Sequence, residues 1–318
     1  MSEVGRRAFF SRLFSGGAAF ADAAGLPTMT RGVPRRQLGN TGEVVPILGF
    51  GTASLGKGVA DDEAAKILNR AVDLGVNYID TAPAIGGYGR AQLQIGRALK
   101  GRRDEIFLVT KLFEPDGDAA RKLLEQNLTE LGTDKVDLLH VHSLGDDKMD
   151  PKRVFGENGV YQTAIRAKEE GLTRFVGLTG HSRPQRFVNA LADYDFDVLM
   201  TAVNFVDVHT YNFEEIVWPL AQRRGAALVA MKVFGGIKGG GHTPALLPAT
   251  YHEQAFRYAL SLDGCATAVM GMSSMQELEE NVRRARGFKP LTTDEQEDLR
   301  STGRSLAERW QAHLGPLT

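Results

Sequence analysis

The sequence predicts a single closed (β/α)8 barrel, an α/β fold, on three observations. Eight strand-like runs alternate with helical stretches at a spacing near 30 residues, the length of one strand-helix unit. Seven of the eight are continuously apolar rather than alternating, as expected of strands covered on both faces. Three runs end in a chemically active side chain at equal steps: Asp80, Lys111 and His142, each 31 residues from the next. Such residues at matching ends of neighbouring parallel strands belong to a catalytic face.

The elements follow in order. RRQLGNTGEVVPILGFGT reads as a hairpin turning at Asn40-Thr41-Gly42, then a first barrel strand ending near Thr52. Residues 61–74 have helical spacing, with Asp61 or Asp62 as N-cap and Gly75 past the end. The remaining strands are VNYID, IFLVTK, VDLLHVH, TRFVGLT, DVLMTAVN, AALVAMK and CATAVM. AARKLLEQNLTEL, RFVNALADY and FEEIVWPLAQRR are helices between them. A final amphipathic helix opens on a Thr293-x-x-Gln296 capping box. Strict alternation implies right-handed crossovers between parallel strands. A doubly wound open sheet is the other architecture with this pattern, but Gly49-Phe50-Gly51 lacks its third glycine and its helix start.

Composition narrows the function. A hydrophobic fraction of 42% and a charged fraction of 24% describe an ordinary globular chain, and a net charge of -1 gives no sign of a nucleic-acid partner. The lone Cys265 excludes an internal disulfide and a Cys-rich metal site, and no metal is expected. Residues 1–30 differ from the rest: Arg6-Arg7-Ala8-Phe9-Phe10 is similar to a twin-arginine export signal, with small-x-small cleavage points at Ala19-Phe20-Ala21 and Ala21-Asp22-Ala23. Their apolar stretch, broken by Arg12, is too short for a membrane span. The expectation is a periplasmic protein that engages the export machinery, the alternative a cytoplasmic one with a disordered extension. Residues 31–318 form the barrel domain.

Two loops point to a ligand. Residues 235–250, GGIKGGGHTPALLPAT, are glycine-rich and proline-broken, the composition of a disordered loop or a mobile lid. Gly271-Met272-Ser273-Ser274 follows the eighth strand and enters a helix through a Ser274-x-x-Glu277 box. That box needs no ligand to explain it. Yet loops after the last two strands, with a helix N-terminus, are where barrels hold phosphate.

Asp80, Tyr88, Lys111 and His142 make one chemical set. A tyrosine is a poor acid at neutral pH, and a neighbouring ammonium is expected to lower its pKa and ease proton donation. Asp80 keeps Lys111 charged, and His142 polarises the same substrate oxygen. His140 and His142 are expected to alternate across their strand, so that one of them faces inward. The set protonates an oxyanion formed when something else attacks a carbonyl carbon, and a hydride from a nicotinamide cofactor fits. Each residue also has a plain structural role, Asp80 in a turn and Lys111 in an ion pair. Their joint placement decides for chemistry.

From Arg36 to the last helix the chain resembles the aldo-keto reductases. DTA followed by YGRAQLQIG is similar to that family's DTAxxYGxSExxIG, KVDLLHVH to its DxxxxH segment, and GMSSMQELEEN to its cofactor segment. The resemblance implies NADPH or NADH across the barrel top, with Asp80, Tyr88, Lys111 and His142 as tetrad and a carbonyl or sugar as substrate. It implies that Thr179 and Asn204 cradle the nicotinamide amide, and that Met231 replaces the stacking aromatic at the strand end Ala230-Met231-Lys232. Lys232, Gly235, Gly271, Ser273 and Ser274 then line the cofactor, with Glu280 and Asn281 at the adenine. Departures are plain. Seven residues separate Asp80 from Tyr88 where the family has four, Ile85 stands at the usual tyrosine place, and Phe205 replaces a glutamine. The arginine that grips a 2′-phosphate is missing, so NADH is expected to serve at least as well as NADPH. Two other readings stay open: a nicotinamide-binding barrel with little turnover, acting as a sensor or interaction subunit, and a Schiff-base enzyme using Lys111.

Overall fold

A computed structural model describes residues 32–236 and 245–318. The leader expected in residues 1–30, and the middle of the glycine-rich loop after the seventh barrel strand, lie outside the described residues.

β1 (Arg35–Gln37) and β2 (Val44–Pro46) pair antiparallel as the expected hairpin. The barrel strands are β3 (Leu48–Gly51), β4 (Tyr78–Asp80), β5 (Phe107–Leu112), β6 (Val136–Val141), β7 (Thr173–Gly180), β8 (Val198–Ala202), β9 (Ala227–Met231) and β10 (Cys265–Gly271). All pair in parallel, and β10 closes back onto β3. Two apolar clusters result. The larger lies between the strands and the surrounding helices. The smaller fills the barrel, where Tyr78, Val109, Leu138, Val198, Val229 and Val269 meet side chains from the hairpin, Leu38 and Val45. The hairpin thus plugs the amino-terminal end, and Gly39 (φ 51) lies so close to Ala227 that a Cβ there would overlap its backbone. Chemistry is left to the opposite end.

The helices form for local reasons. In Asp61–Asp73 the buried Ala64, Ile67, Leu68 and Ala71 recur at three- and four-residue spacing, one stripe facing the sheet. Burying each larger aliphatic contributes about 1.5–3 kcal/mol. Its N-cap is Ala60 rather than either aspartate; Asp61, Asp62 and Glu63 occupy the first turn, where negative charge meets the helix dipole. Asp116 caps Gly117–Leu131, accepting from the N–H groups of Asp118 (3.1 Å) and Ala119 (3.3 Å), and Gly132 ends that helix at φ 63.

Three expectations need correction. FEEIVWPLAQRR is not one helix: it breaks at Val217 into Phe213–Ile216 and Trp218–Arg223, because Pro219 cannot sit inside a continuous helix. The last helix, Thr293–Trp310, is capped by Thr292 with Glu295, one residue earlier than read. His140 and His142 do not point to opposite sides, since positions two apart share a strand face. Both are buried, and both feel the charge of Lys111.

Beyond the last helix the chain returns over the carboxyl ends of the strands. Leu314 N–H donates to Tyr211 Oη (2.8 Å), that hydroxyl donates to Gly315 O (2.9 Å), and Arg183 N–H donates to Pro316 O (3.0 Å).

Candidate active site

Asp80, Lys111 and His142 stand at the carboxyl ends of β4, β5 and β6, with His142 one residue past its strand and tied to the neighbouring β5 by N–H donation to Leu112 O (3.0 Å). Lys111 Nζ donates to both carboxylate oxygens of Asp80, at 2.7 and 2.8 Å, and to Thr81 O at 2.7 Å. Each partner's side chain is 1% exposed. Burial pushes the Asp80 carboxyl up and the Lys111 ammonium down, and each partner's charge resists the shift of the other.

Tyr88 reaches this pair despite the longer loop. The insertion folds as a short 3-10 turn, Ala84–Gly86, followed by Gly87 at φ 85, and Ile85 is carried outward to 49% exposure. The phenol therefore holds the place between the charges, and Ile85 does not. Tyr88 Oη donates to Asp80 Oδ2 at 3.3 Å and accepts from Lys111 Nζ at 3.3 Å, while the ammonium lies 4.7 Å from the ring centroid. Contrary to expectation, its pKa is raised well above the ordinary phenol value, by burial first and by the Asp80 charge second. The physical reason is that Lys111 spends its short contacts on Asp80 and Thr81. Tyr88 is thus held firmly protonated.

His142 is held neutral: burial, then the charge of Lys111, puts its pKa well below the usual imidazole value. Its ring is edge-on to Tyr88 and Phe113 (centroids 6.3 and 5.3 Å), and its Nδ1 is buried with no hydrogen-bond partner. A neutral imidazole has one N–H to give.

The residues expected around a cofactor fall into two groups. Thr179, at the end of β7, has a buried hydroxyl without a partner, and Met231 ends β9 facing the barrel axis. Lys232 follows at φ 58, half-buried, with no salt bridge among the described residues and its pKa lowered by burial and by Lys57. Gly235 lies so close to Trp310 that a side chain there would overlap the indole. Asn204 is different. Its amide donates to Asp207 (2.6 Å) and Lys232 O (3.1 Å), and its oxygen accepts from the N–H groups of Val206 and Asp207. All of its hydrogen-bonding capacity goes to its own loop and to the Lys232 carbonyl after β9. Phe205 packs outward against Tyr251 and Tyr258.

The second group surrounds the helix Met275–Arg286. Gly271 is exposed at the end of β10, and Ser274 caps the helix, accepting from Glu277 N–H at 3.2 Å. The box is not reciprocal, because the Glu277 carboxylate instead accepts from Ser273 N–H (2.6 Å) and Ser273 Oγ (2.9 Å). Glu280 and Asn281 both meet Arg284, whose guanidinium donates to Asn281 Oδ1 (2.9 Å) and Glu280 (3.4 Å). Sequence reading missed His181 and named Glu277 only as part of the helix cap. His181 follows β7 at the same end of the barrel and bonds the returning tail through Nδ1 to Leu314 O (2.8 Å). Its signal was a histidine just past a strand end.

A closed eight-stranded parallel barrel with an acid, a phenol, an ammonium and an imidazole gathered at its carboxyl end defines an oxidoreductase-type barrel. The aldo/keto reductase family model matches residues 47–240, and the chain belongs to that family. Among curated relatives, L-galactose dehydrogenase of Arabidopsis thaliana is 26% identical over 298 residues, covering 82% of this chain and 91% of that protein. Pyridoxal 4-dehydrogenase of Microbacterium luteolum is 25% identical over 316 residues, 78% and 92% of the two chains. Among solved structures, the holo form of an aldo-keto reductase from Bacillus halodurans superposes with a TM-score of 0.68 at 26% identity, over 85% of this chain and 96% of that one. The chain is accordingly an oxidoreductase of a family that uses NAD(P)H on carbonyl compounds. No helix among the described residues is long and apolar enough to cross a membrane.

Proposed function

We propose that the chain reduces an aldehyde or ketone, or oxidises the corresponding alcohol or sugar, with Tyr88 as proton donor. The observation that supports this most is the position of Tyr88 Oη, 3.3 Å from both Asp80 Oδ2 and Lys111 Nζ. The bound nicotinamide cofactor supplies the hydride. The residues present fit such a group. The unpartnered Thr179 hydroxyl is free for an amide, Met231 offers an apolar surface, and Gly271 leaves the end of β10 bare. Asn204 is committed to its loop and to Lys232 O, so amide recognition falls to Thr179.

The protein's part is orientation and proton supply. Tyr88 O–H and an N–H of neutral His142 hold the carbonyl oxygen. As negative charge grows on that oxygen it becomes a stronger base than the phenolate, and Tyr88 gives up its proton although its resting pKa is high. Lys111, 4.7 Å from the ring centroid, then stabilises the phenolate left behind. The same ammonium, bonded to Asp80 and Thr81, is poorly placed as a Schiff-base nucleophile.

Glu277 supports NADH as the better cofactor, because its carboxylate already takes the Ser273 N–H and hydroxyl and would repel a 2′-phosphate there. The test is titration with NADH and NADPH, then a panel of aldehydes, ketones, aldoses and pyridoxal, the last two prompted by the relatives. Turnover is followed at the reduced-nicotinamide absorbance. Failure to bind either cofactor sinks the reading; tight binding with no turnover across the panel favours the sensor alternative.

A further inference from the structure

The chain reaches Tyr88 through a long turn that passes Gly87 at φ 85, and Gly89 just after the tyrosine stands at φ 56. The phenol's two polar contacts, to Asp80 and to Lys111, are both 3.3 Å, long for hydrogen bonds. Its backbone is held from the far side of the turn. Tyr88 O accepts from Ala91 N–H at 3.1 Å, where the helix Ala91–Ala98 begins, and Arg90 N–H donates to Gly56 O at 2.9 Å. The place of the phenol beside Lys111 therefore depends on where that helix sits against β5.

A buried polar bridge joins the two. Gln92, four positions after Tyr88 and second in the helix, is fully buried, as are Thr110 and Asn127. Thr110 Oγ1 donates to Gln92 Oε1 at 2.6 Å. The Gln92 amide donates to Asn127 Oδ1 at 3.0 Å and to Glu130 Oε2 at 2.9 Å, so both of its hydrogens are used. Asn127 Nδ2 in turn donates to Lys111 O at 3.0 Å. That carbonyl lies past the last strand neighbour on its edge of β5. Two residues earlier on the same edge, Val109 O accepts from Thr81 N–H (2.9 Å), and β4 has already ended at Asp80. The helix Gly117–Leu131, which supplies Asn127 and Glu130, also packs closely on the helix of Gln92: a Cβ on Gly96 would lie 2.4 Å from Glu130 O.

We propose that Gln92 is a positioning residue for the proton donor: the bridge Thr110–Gln92–Asn127 fixes the helix behind Tyr88 against the strand end that carries Lys111, and so sets the Tyr88–Lys111 contact. Gln92 meets β5 at both of the residues that matter, directly through the Thr110 side chain and through Asn127 at the Lys111 carbonyl. A buried network with its members paired is rigid, and loses that rigidity when one member is removed. Supporting groups of this kind keep a site within the few tenths of an ångström its chemistry needs. Gln92 touches neither the phenol nor the ammonium and acts only through the elements that carry them. The functional half of the proposal rests on the reading of Tyr88 as proton donor; the geometric half does not.

Gln92→Leu removes the amide at similar size, and Thr110→Val, which deletes one hydroxyl, serves as the second variant should Gln92→Leu fail to fold. Crystal structures of the natural chain and the variant need no turnover. They should show Tyr88 Oη moved beyond about 3.5 Å from Lys111 Nζ, and an unmoved phenol overturns the proposal. In steady-state kinetics kcat should fall by about 10- to 100-fold, while KM for cofactor and for the carbonyl substrate holds. In the Tyr88→Phe background the same change should lower kcat no further, because no phenol is left to place. An equal fall in both backgrounds overturns the proposal, since the bridge then acts on something other than Tyr88. A lower Tm with kcat and the phenol unchanged does the same, being the mark of a bridge that only holds the fold. If the natural chain reduces no carbonyl compound, the reductase reading falls, and the crystal comparison alone decides whether Gln92 places Tyr88.

Discussion

Gly86 lies against the ring of His142: a Cβ built on it would stand 3.1 Å from both Nδ1 and Cε1. The inserted turn that lengthens the Asp80–Tyr88 loop therefore also forms one wall of the histidine's seat. Gly86 does not need a positive φ, so alanine is tolerated by the backbone and only the contact changes. Gly86→Ala is expected to tilt the imidazole and lower kcat by ~10- to ~100-fold, the range for a sub-ångström to 1 Å misplacement of a reacting group. Cofactor affinity should hold. Steady-state kinetics of the variant decide it, and unchanged kcat means the ring has room that the distance denies.

Cofactor choice turns on Glu277. Its carboxylate bonds Ser273 N–H and Oγ at the helix start, and the nearby Arg284 is paired with Glu280 and Asn281. NADH is expected to bind at least as tightly as NADPH. Glu277→Gln removes the charge and should move the ratio of dissociation constants toward NADPH by about tenfold, ~1.4 kcal/mol. If the natural chain prefers NADPH by more than that factor, Arg284 must leave its partners to meet the phosphate.

Much of this architecture was legible because its signals are periodic. Continuous apolar runs at a regular spacing and three active side chains at equal steps carry the barrel and place Asp80, Lys111 and His142. What escaped depends on contacts between distant segments. Nothing in the run around Asn204 announces that its amide is consumed by Asp207 and Lys232. The raised pKa of Tyr88 follows from how Lys111 divides its bonds, which spacing alone does not reveal. The half-made Ser274 cap shows the same limit, because a sequence cannot tell which serine N–H the Glu277 carboxylate will take.

Stability should fall as an acidic solution is brought to neutral pH. Glu214, bonded to Tyr258 and Arg300 and beside Glu215, is pushed up to about 7 by burial. Asp207, near Asn204 and Lys232, is likewise pushed to about 7. Between their unfolded values and about 7 the folded chain holds more protons than the unfolded one, so stability falls as pH rises. Their contribution is full below the unfolded values and is lost as pH rises through about 7. Thermal melts from about pH 5 to about pH 8 should show a declining Tm, and Glu214→Gln should flatten the decline. Equal slopes for the two proteins refute the assignment to Glu214.

The leader carries a separate expectation. We propose that Arg6-Arg7 directs export through the twin-arginine route. A reporter fused to residues 1–30 should reach the periplasm, and replacing both arginines with lysine should retain it in the cytoplasm. Export of a folded chain would let a bound nucleotide travel with it. A reporter that stays inside with the natural leader, or leaves with the altered one, removes this assignment.

Tyr88→Phe tests the centre of the functional proposal. The change deletes one hydroxyl and little volume, and it leaves the bidentate Asp80–Lys111 pair intact at 2.7 and 2.8 Å. Cofactor binding should therefore survive, since Thr179, Met231 and the helix Met275–Arg286 are untouched. Carbonyl reduction should drop by at least the ~10²-fold typical of losing a general acid. Ile85 cannot substitute, because it is apolar and 49% exposed on the far side of the turn. His142 is the other group proposed to hold the carbonyl oxygen, and it is held neutral with a single N–H to give. If Tyr88→Phe turned over at a near-normal rate, that N–H would have to be the proton source, and His142→Phe in the same background would then abolish what remained.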